Sequence, residues 1–126
     1  MGFTGHNQAL TRIYQSGRVH IDIGRLYQAD IVTMRVFDLL ACGGFLIAEH
    51  SHALTDLFQP GVHLETWRTI GELREKAAHF MQHPDQAARI AAQGLQRVRA
   101  EHTIRKRVGA MLDDLRAAAP VVRFVV

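Results

Sequence analysis

Two aspartates eight positions apart, Asp30 and Asp38, with Arg35 between them, are the residues best suited to chemistry on a ligand. If one helix carried the whole stretch, the carboxylates would stand ~12 Å apart along its axis and ~80° around it, so both could address one cleft. A carboxylate is a natural bidentate acceptor for two adjacent hydroxyl donors, which is what a ribose offers. Arg35 falls near the start of such a helix, where the dipole and the free N–H groups already favour an anion; a diphosphate could use both. Each residue also has a structural reading. Asp30 is a good N-cap, and Arg35 and Asp38, three apart, could pair with each other. Apolar neighbours weaken that reading for Asp38, because a buried carboxylate without a partner is costly.

The element that must position these groups covers residues 32–42, apolar on nearly every face except at Thr33, Arg35 and Asp38. Such a helix is normally buried. Gly43 and Gly44 stop it, since glycine takes the left-handed conformation that a helix C-terminus often needs. Phe45-Leu46-Ile47-Ala48 then reads as a strand covered on both faces. Helix, glycine turn and buried strand make half of a parallel α/β unit.

Upstream, residues 7–15 read as a short helix and residues 19–23 alternate as a strand does, with a loop through 24–29 leading to Asp30. Downstream, residues 49–52 form a polar loop at the central strand's carboxyl end, where open α/β sheets usually hold ligands. A short helix over 53–58 stops at Pro60-Gly61, and residues 62–67 are a third strand candidate. The remainder is helical. Its apolar stripes are Ile70, Leu73, Ala77, Phe80 and Met81, then Ile90, Ala91, Leu95 and Val98, then Ile104, Val108, Met111 and Leu115. Pro84 suits a first turn, Thr103 a cap, and residues 121–126 are a β-prone tail.

The other reactive side chains point elsewhere. His50-Ser51-His52, and His79 with His83, have chelating spacing, but neither pair has a suitably spaced third ligand and no HExxH glutamate is present, so no metal is expected. Cys42 is the single cysteine, which forbids an internal disulfide and fits a reducing cytoplasm; no export signal and no membrane span is visible. With 126 residues the chain can build one core. A net charge of +3 is too small to argue for nucleic acid, and Arg105-Lys106-Arg107 reads as a solvated face.

The stretch MRVFDLLACGGFLIAEH, followed by the HP…A…G…V…HT…R order downstream, resembles the carboxyl-terminal domain of bacterial group 1 glycosyltransferases, most of all the CgeB-like (spore-maturation protein) branch. The likeness covers residues 14–115 and leaves 116–126 as a tail. It implies the GT-B fold, in which two Rossmann-like domains face a cleft and the carboxyl-terminal one holds a nucleoside-diphosphate sugar. By that resemblance Asp38 matches the acidic residue that holds the ribose and Asp30 the earlier member of an E-x7-E pair, both with aspartate in place of the commoner glutamate. Gly43 and Gly44 match the glycines that let backbone approach the donor, and Arg35 an arginine given a phosphate contact. With Thr33 these make the candidate donor-binding set: Asp30, Thr33, Arg35, Asp38, Gly43 and Gly44.

A full GT-B enzyme has two domains, so the chain is expected to be a piece: one partial Rossmann-like domain of about three parallel strands flanked by helices, with a helical C-terminal end. The function implied is donor binding for hexosyl transfer to an acceptor held by a missing N-terminal domain, without a metal and without activity in isolation. The alternative is a non-catalytic interaction module that reuses the fold and keeps Arg35 and Asp38 as an internal ion pair. In either case the strand over 19–23 would lack a neighbour, so a homodimer is expected through that sheet edge or through the 121–126 tail.

Overall fold

The computed structural model describes residues 8–24 and 30–118. Helix α1 (Gln8–Ser16) leads into β1 (His20–Asp22), α2 (Met34–Ala41), β2 (Leu46–Glu49), α3 (His52–Leu57) and β3 (Glu65–Trp67). Three helices follow: α4 (Ile70–Gln82), α5 (Pro84–Glu101) and α6 (Ile104–Ala118). The strands form one parallel sheet in the order β1-β2-β3, with His20 beside Leu46 and Ile47 beside Glu65. This is the α/β architecture with a helical C-terminal end that the sequence predicts. The 121–126 tail and most of the loop before Asp30 lie outside the described residues.

The central strand explains the layering. Its period of two sends Leu46 and Ala48 to one face and Phe45 and Ile47 to the other, all four buried. On the first face they meet Val36, Phe37, Leu39 and Leu40 of α2, together with Leu54, Phe58, Leu64 and Val98. On the second they meet Trp67, Phe80, Ala87 and Ala91. Helix α5 serves both clusters, through Val98 on one and Ala87 and Ala91 on the other. It comes close because Gly94 has no side chain: a Cβ there would run into the His63 carbonyl and the Leu40 side chain.

Local signals set most element ends. Ser51, Thr69 and Thr103 each accept a hydrogen bond on the hydroxyl from the N–H three residues on, at 3.2, 3.2 and 3.3 Å. Pro84 sits in the first turn of α5. At the other end of α2 the Gly43 N–H donates to the Leu40 carbonyl (3.0 Å) and the Gly44 N–H to Leu39 (3.1 Å), with Gly43 at φ 77°. That is a Schellman closure, and the positive φ is why glycine stands there.

Two expectations about α2 need correction. The helix opens at Met34 with Thr33 as its N-cap, not at Asp30. Nor is it buried all round. Val36, Phe37, Leu39 and Leu40 are buried, whereas Met34, Arg35, Asp38 and Ala41 are exposed, because the sheet and α5 cover one side only. No described helix is long and apolar enough to cross a membrane.

Candidate functional site

A parallel sheet gathers the carboxyl ends of its strands at one edge, here Asp22, Glu49 and Trp67. Asp22 is the organising residue. Its carboxylate, 17% exposed, takes the Arg35 guanidinium from the first turn of α2 at 3.0 Å. Its backbone carbonyl accepts the Trp67 indole N–H from β3 at 3.4 Å. The Arg35–Asp38 pair that three-residue spacing suggests does not form. Arg35 turns to the end of the strand instead, where Asp22 stands beside the opening of α2.

Beside that pair lies a cleft of about 140 Å³ between α1, β1 and α2, lined by Tyr14, His20, Asp22, Arg35, Val36 and Leu39 among others. His20 Nε2 lies 2.7 Å from the Tyr14 carbonyl, and the two rings meet edge to face with centroids 5.8 Å apart. Partial burial raises the Tyr14 pKa above its usual 10.0; the Asp38 charge adds to the rise and Arg35 opposes it. Asp38, one turn after Arg35, is exposed, and its charge reaches Tyr14 of this cleft.

The opening of α2 differs from the other capped helices. Thr33 has the extended backbone of an N-cap, but its hydroxyl makes no cap hydrogen bond. Thr33 Oγ1 is buried without a hydrogen-bond partner among the described residues. A buried hydroxyl left unpaired costs free energy that a ligand atom could recover. It stands two residues before Arg35, at a helix end whose dipole favours anions.

Asp30 lies off the helix, in a turn with φ 66°, and its Oδ1 accepts the His52 N–H at 3.2 Å. It caps the wrong helix for the sequence expectation: α3 rather than α2. Its left-handed backbone is one that aspartate tolerates better than most residues. The helical spacing argument between Asp30 and Asp38 accordingly does not apply. Asp30 belongs with the loop after β2, where Glu49 Oε2 accepts the Gly24 N–H at 2.8 Å and His50 Nε2 meets Arg68 Nη2 at 2.9 Å.

Gly43 and Gly44 lie at the amino edge of the sheet, across from the Asp22 end, where they close α2. A Cβ on Gly44 would press on Leu39 and His20, so this glycine also lets β1 and α2 pack. The histidine pairs have other partners: His79 stacks on His83 with centroids 4.3 Å apart and its Nε2 meets Gln86 at 2.9 Å. Among the described residues no three His, Cys, Asp or Glu side chains are grouped so as to hold a metal ion.

Sequence reasoning missed Tyr14, His20 and Asp22. The available signal was the alternation over 19–23, which marks His20 and Asp22 as the polar positions of a strand and Asp22 as its carboxyl end.

No curated protein and no solved structure matches the chain. One family does, described as glycosyl transferase-like, over residues 4–113. That match spans most of the sequence and includes α2, β2 and the Asp22–Arg35 edge, so the chain belongs to the glycosyl transferase-like family.

Proposed function

We propose that the chain is the donor-binding part of a GT-B glycosyltransferase, holding a nucleoside-diphosphate sugar from which a hexosyl group passes to an acceptor. The observation that carries this reading is the opening of α2. There a buried Thr33 hydroxyl with no cap hydrogen bond, the Arg35 guanidinium and the exposed Asp38 carboxylate follow one another near the carboxyl end of β1. Arg35 and the helix N-terminus hold the diphosphate, and Asp38 accepts the two ribose hydroxyls. As the bond from the sugar to the diphosphate breaks, negative charge grows on the leaving oxygen, and a fixed guanidinium stabilises it. The guanidinium has donors enough to keep Asp22 while contacting phosphate.

Asp30 and the Glu49–His52 loop border the sugar end of this site. Gly43 and Gly44 contribute by ending α2 where they do. A cleft of about 140 Å³ takes only part of such a ligand, since small-molecule sites commonly run to ~300 Å³ or more. The rest of the donor is covered by elements of a larger parent enzyme that pair with β1, and the chain alone is inactive.

The rival reading, a non-catalytic interaction module, relied on an internal Arg35–Asp38 pair, and Arg35 pairs with Asp22 instead. Calorimetric titration with a panel of nucleoside diphosphates and their sugars tests the proposal. Binding should appear for one of them and weaken in Asp38→Asn by ~1.5–3 kcal/mol, the worth of a charged hydrogen bond. No binding by any, or binding indifferent to Asp38, would remove its basis.

A further inference from the structure

Helix α6 has an apolar stripe that the rest of the described chain does not cover. Ile104, Val108, Met111 and Leu115 follow a four-three-four spacing, the a and d positions of a heptad. None is buried; Ile104 is 74% exposed, Met111 63% and Leu115 56%. Leu112, 46% exposed, widens the stripe on one flank. The contacts that α6 does make hold its first turn. Thr103 caps it, Lys106 Nζ donates to the Ala100 carbonyl, and the Arg107 guanidinium lies over the Phe37 ring at 4.6 Å. A helix this short is marginal in water without a tertiary partner, so a bare seam of this kind calls for one.

We infer that the partner is a second copy of this chain, with the two α6 helices packed antiparallel about a twofold axis. The charges beside the seam select that arrangement. Arg107 and Asp114 both fall at the position just before an a residue, on one flank. When two such helices run antiparallel, with Val108 layered on the second copy's Met111 and Ile104 on its Leu115, those flanks face each other. Arg107 then meets the second copy's Asp114, and the symmetry repeats the pair. A parallel arrangement would instead set position g of one helix against position e of the other, so that Arg107 faced Leu112 and found no carboxylate. Asp113 is already engaged by Arg116 at 3.5 Å, whereas Asp114 makes no ion pair among the described residues. Stacking on Phe37 covers the face of the Arg107 guanidinium and leaves its N–H edge for a carboxylate. The association uses neither the β1 edge nor the residues of the proposed donor site.

Sedimentation of the full chain across micromolar to hundred-micromolar concentrations tests the inference, with circular dichroism to verify folding of each variant. The wild-type chain should dimerise, and Met111→Asp should be monomeric while keeping the α/β fold. Asp114→Arg turns two attractions into two repulsions and should weaken association about tenfold, and Arg107→Asp combined with Asp114→Arg should restore it. A wild-type chain that stays monomeric throughout overturns the inference. So does a dimer that survives Met111→Asp, which would place the contact at the sheet edge or elsewhere. Failure of the double charge swap to restore association, with both variants folded, overturns the antiparallel arrangement.

Discussion

Arg35, on the first turn of α2, meets Asp22, the last residue of β1, at 3.0 Å, and the two side chains are 61% and 17% exposed. The exposure decides how to value the pair. An ion pair open to water on one side contributes ~0–1 kcal/mol to stability. Its larger consequence is positional: Asp22 aims a guanidinium at the uncapped start of α2.

Arg35→Ala should therefore leave the melting temperature within a few degrees of wild type while nucleoside diphosphate affinity falls by ~1.5–3 kcal/mol. Arg35→Lys should recover only part of the loss, since an ammonium lacks the planar fork that meets two phosphate oxygens at once. Thermal melts alongside calorimetry separate the two effects. A collapse in stability with unchanged binding would make Arg35 a structural residue.

Donor binding should not depend on a divalent metal. A guanidinium at a helix N-terminus already opposes the diphosphate charge, and His79 and His83 are engaged with each other and with Gln86. Affinity measured with and without a chelator should be equal, and the parent enzyme should keep its activity. Activity lost to the chelator and restored by Mg²⁺ or Mn²⁺ would refute this.

Gly94→Ala should destabilise the fold. The new methyl would press on the His63 carbonyl and on Leu40, neither free to retreat in a packed core. Overpacking of this kind costs ~1–3 kcal/mol, against a gain of ~1 kcal/mol from alanine's helix propensity. Gly109→Ala is the control, because nothing stands within 4 Å of its Cβ position, and it should raise the melting temperature. Denaturant titration of both variants should move the midpoints in opposite directions.

Stability should fall in mild acid. His63 and His102 both have pKa values below the usual 6.5, first because of burial and then because of the nearby Arg97 charge. His102 lies against Phe58 and Phe37, and its Nε2 is buried without a partner among the described residues. The folded state thus resists a proton that the unfolded chain takes up near 6.5. The contribution is complete above that pH and is lost as the pH falls below it. Urea midpoints at about pH 7.5 and about pH 5.5 should show it, and His102→Phe should flatten the difference.

Patterns that act within a few residues were legible in the sequence. Residues 45–48 form an uninterrupted apolar run, and β2 is a central strand buried on both faces. Gly43 stops α2 and Pro84 opens α5, while Thr103 caps α6, all for reasons of backbone conformation and local hydrogen bonding. The order of helices and strands follows from the same signals, and with it the α/β class.

Tertiary structure alone decided which side chains meet. Spacing placed Asp38 within reach of Arg35 and made Asp30 a plausible cap for α2, but both outcomes had competitors from elsewhere in the chain. Parallel pairing of β1 with β2 brings Asp22 to the opening of α2, where a carboxylate at a strand end outcompetes one a helical turn away. The turn before α2 carries Asp30 to the N–H of His52 instead. The α6 stripe is the reverse case. Its periodicity was plain, yet periodicity says only that a face is apolar. Whether anything covers it depends on packing between distant segments, and among the described residues that packing engages the first turn of α6 and leaves the seam open.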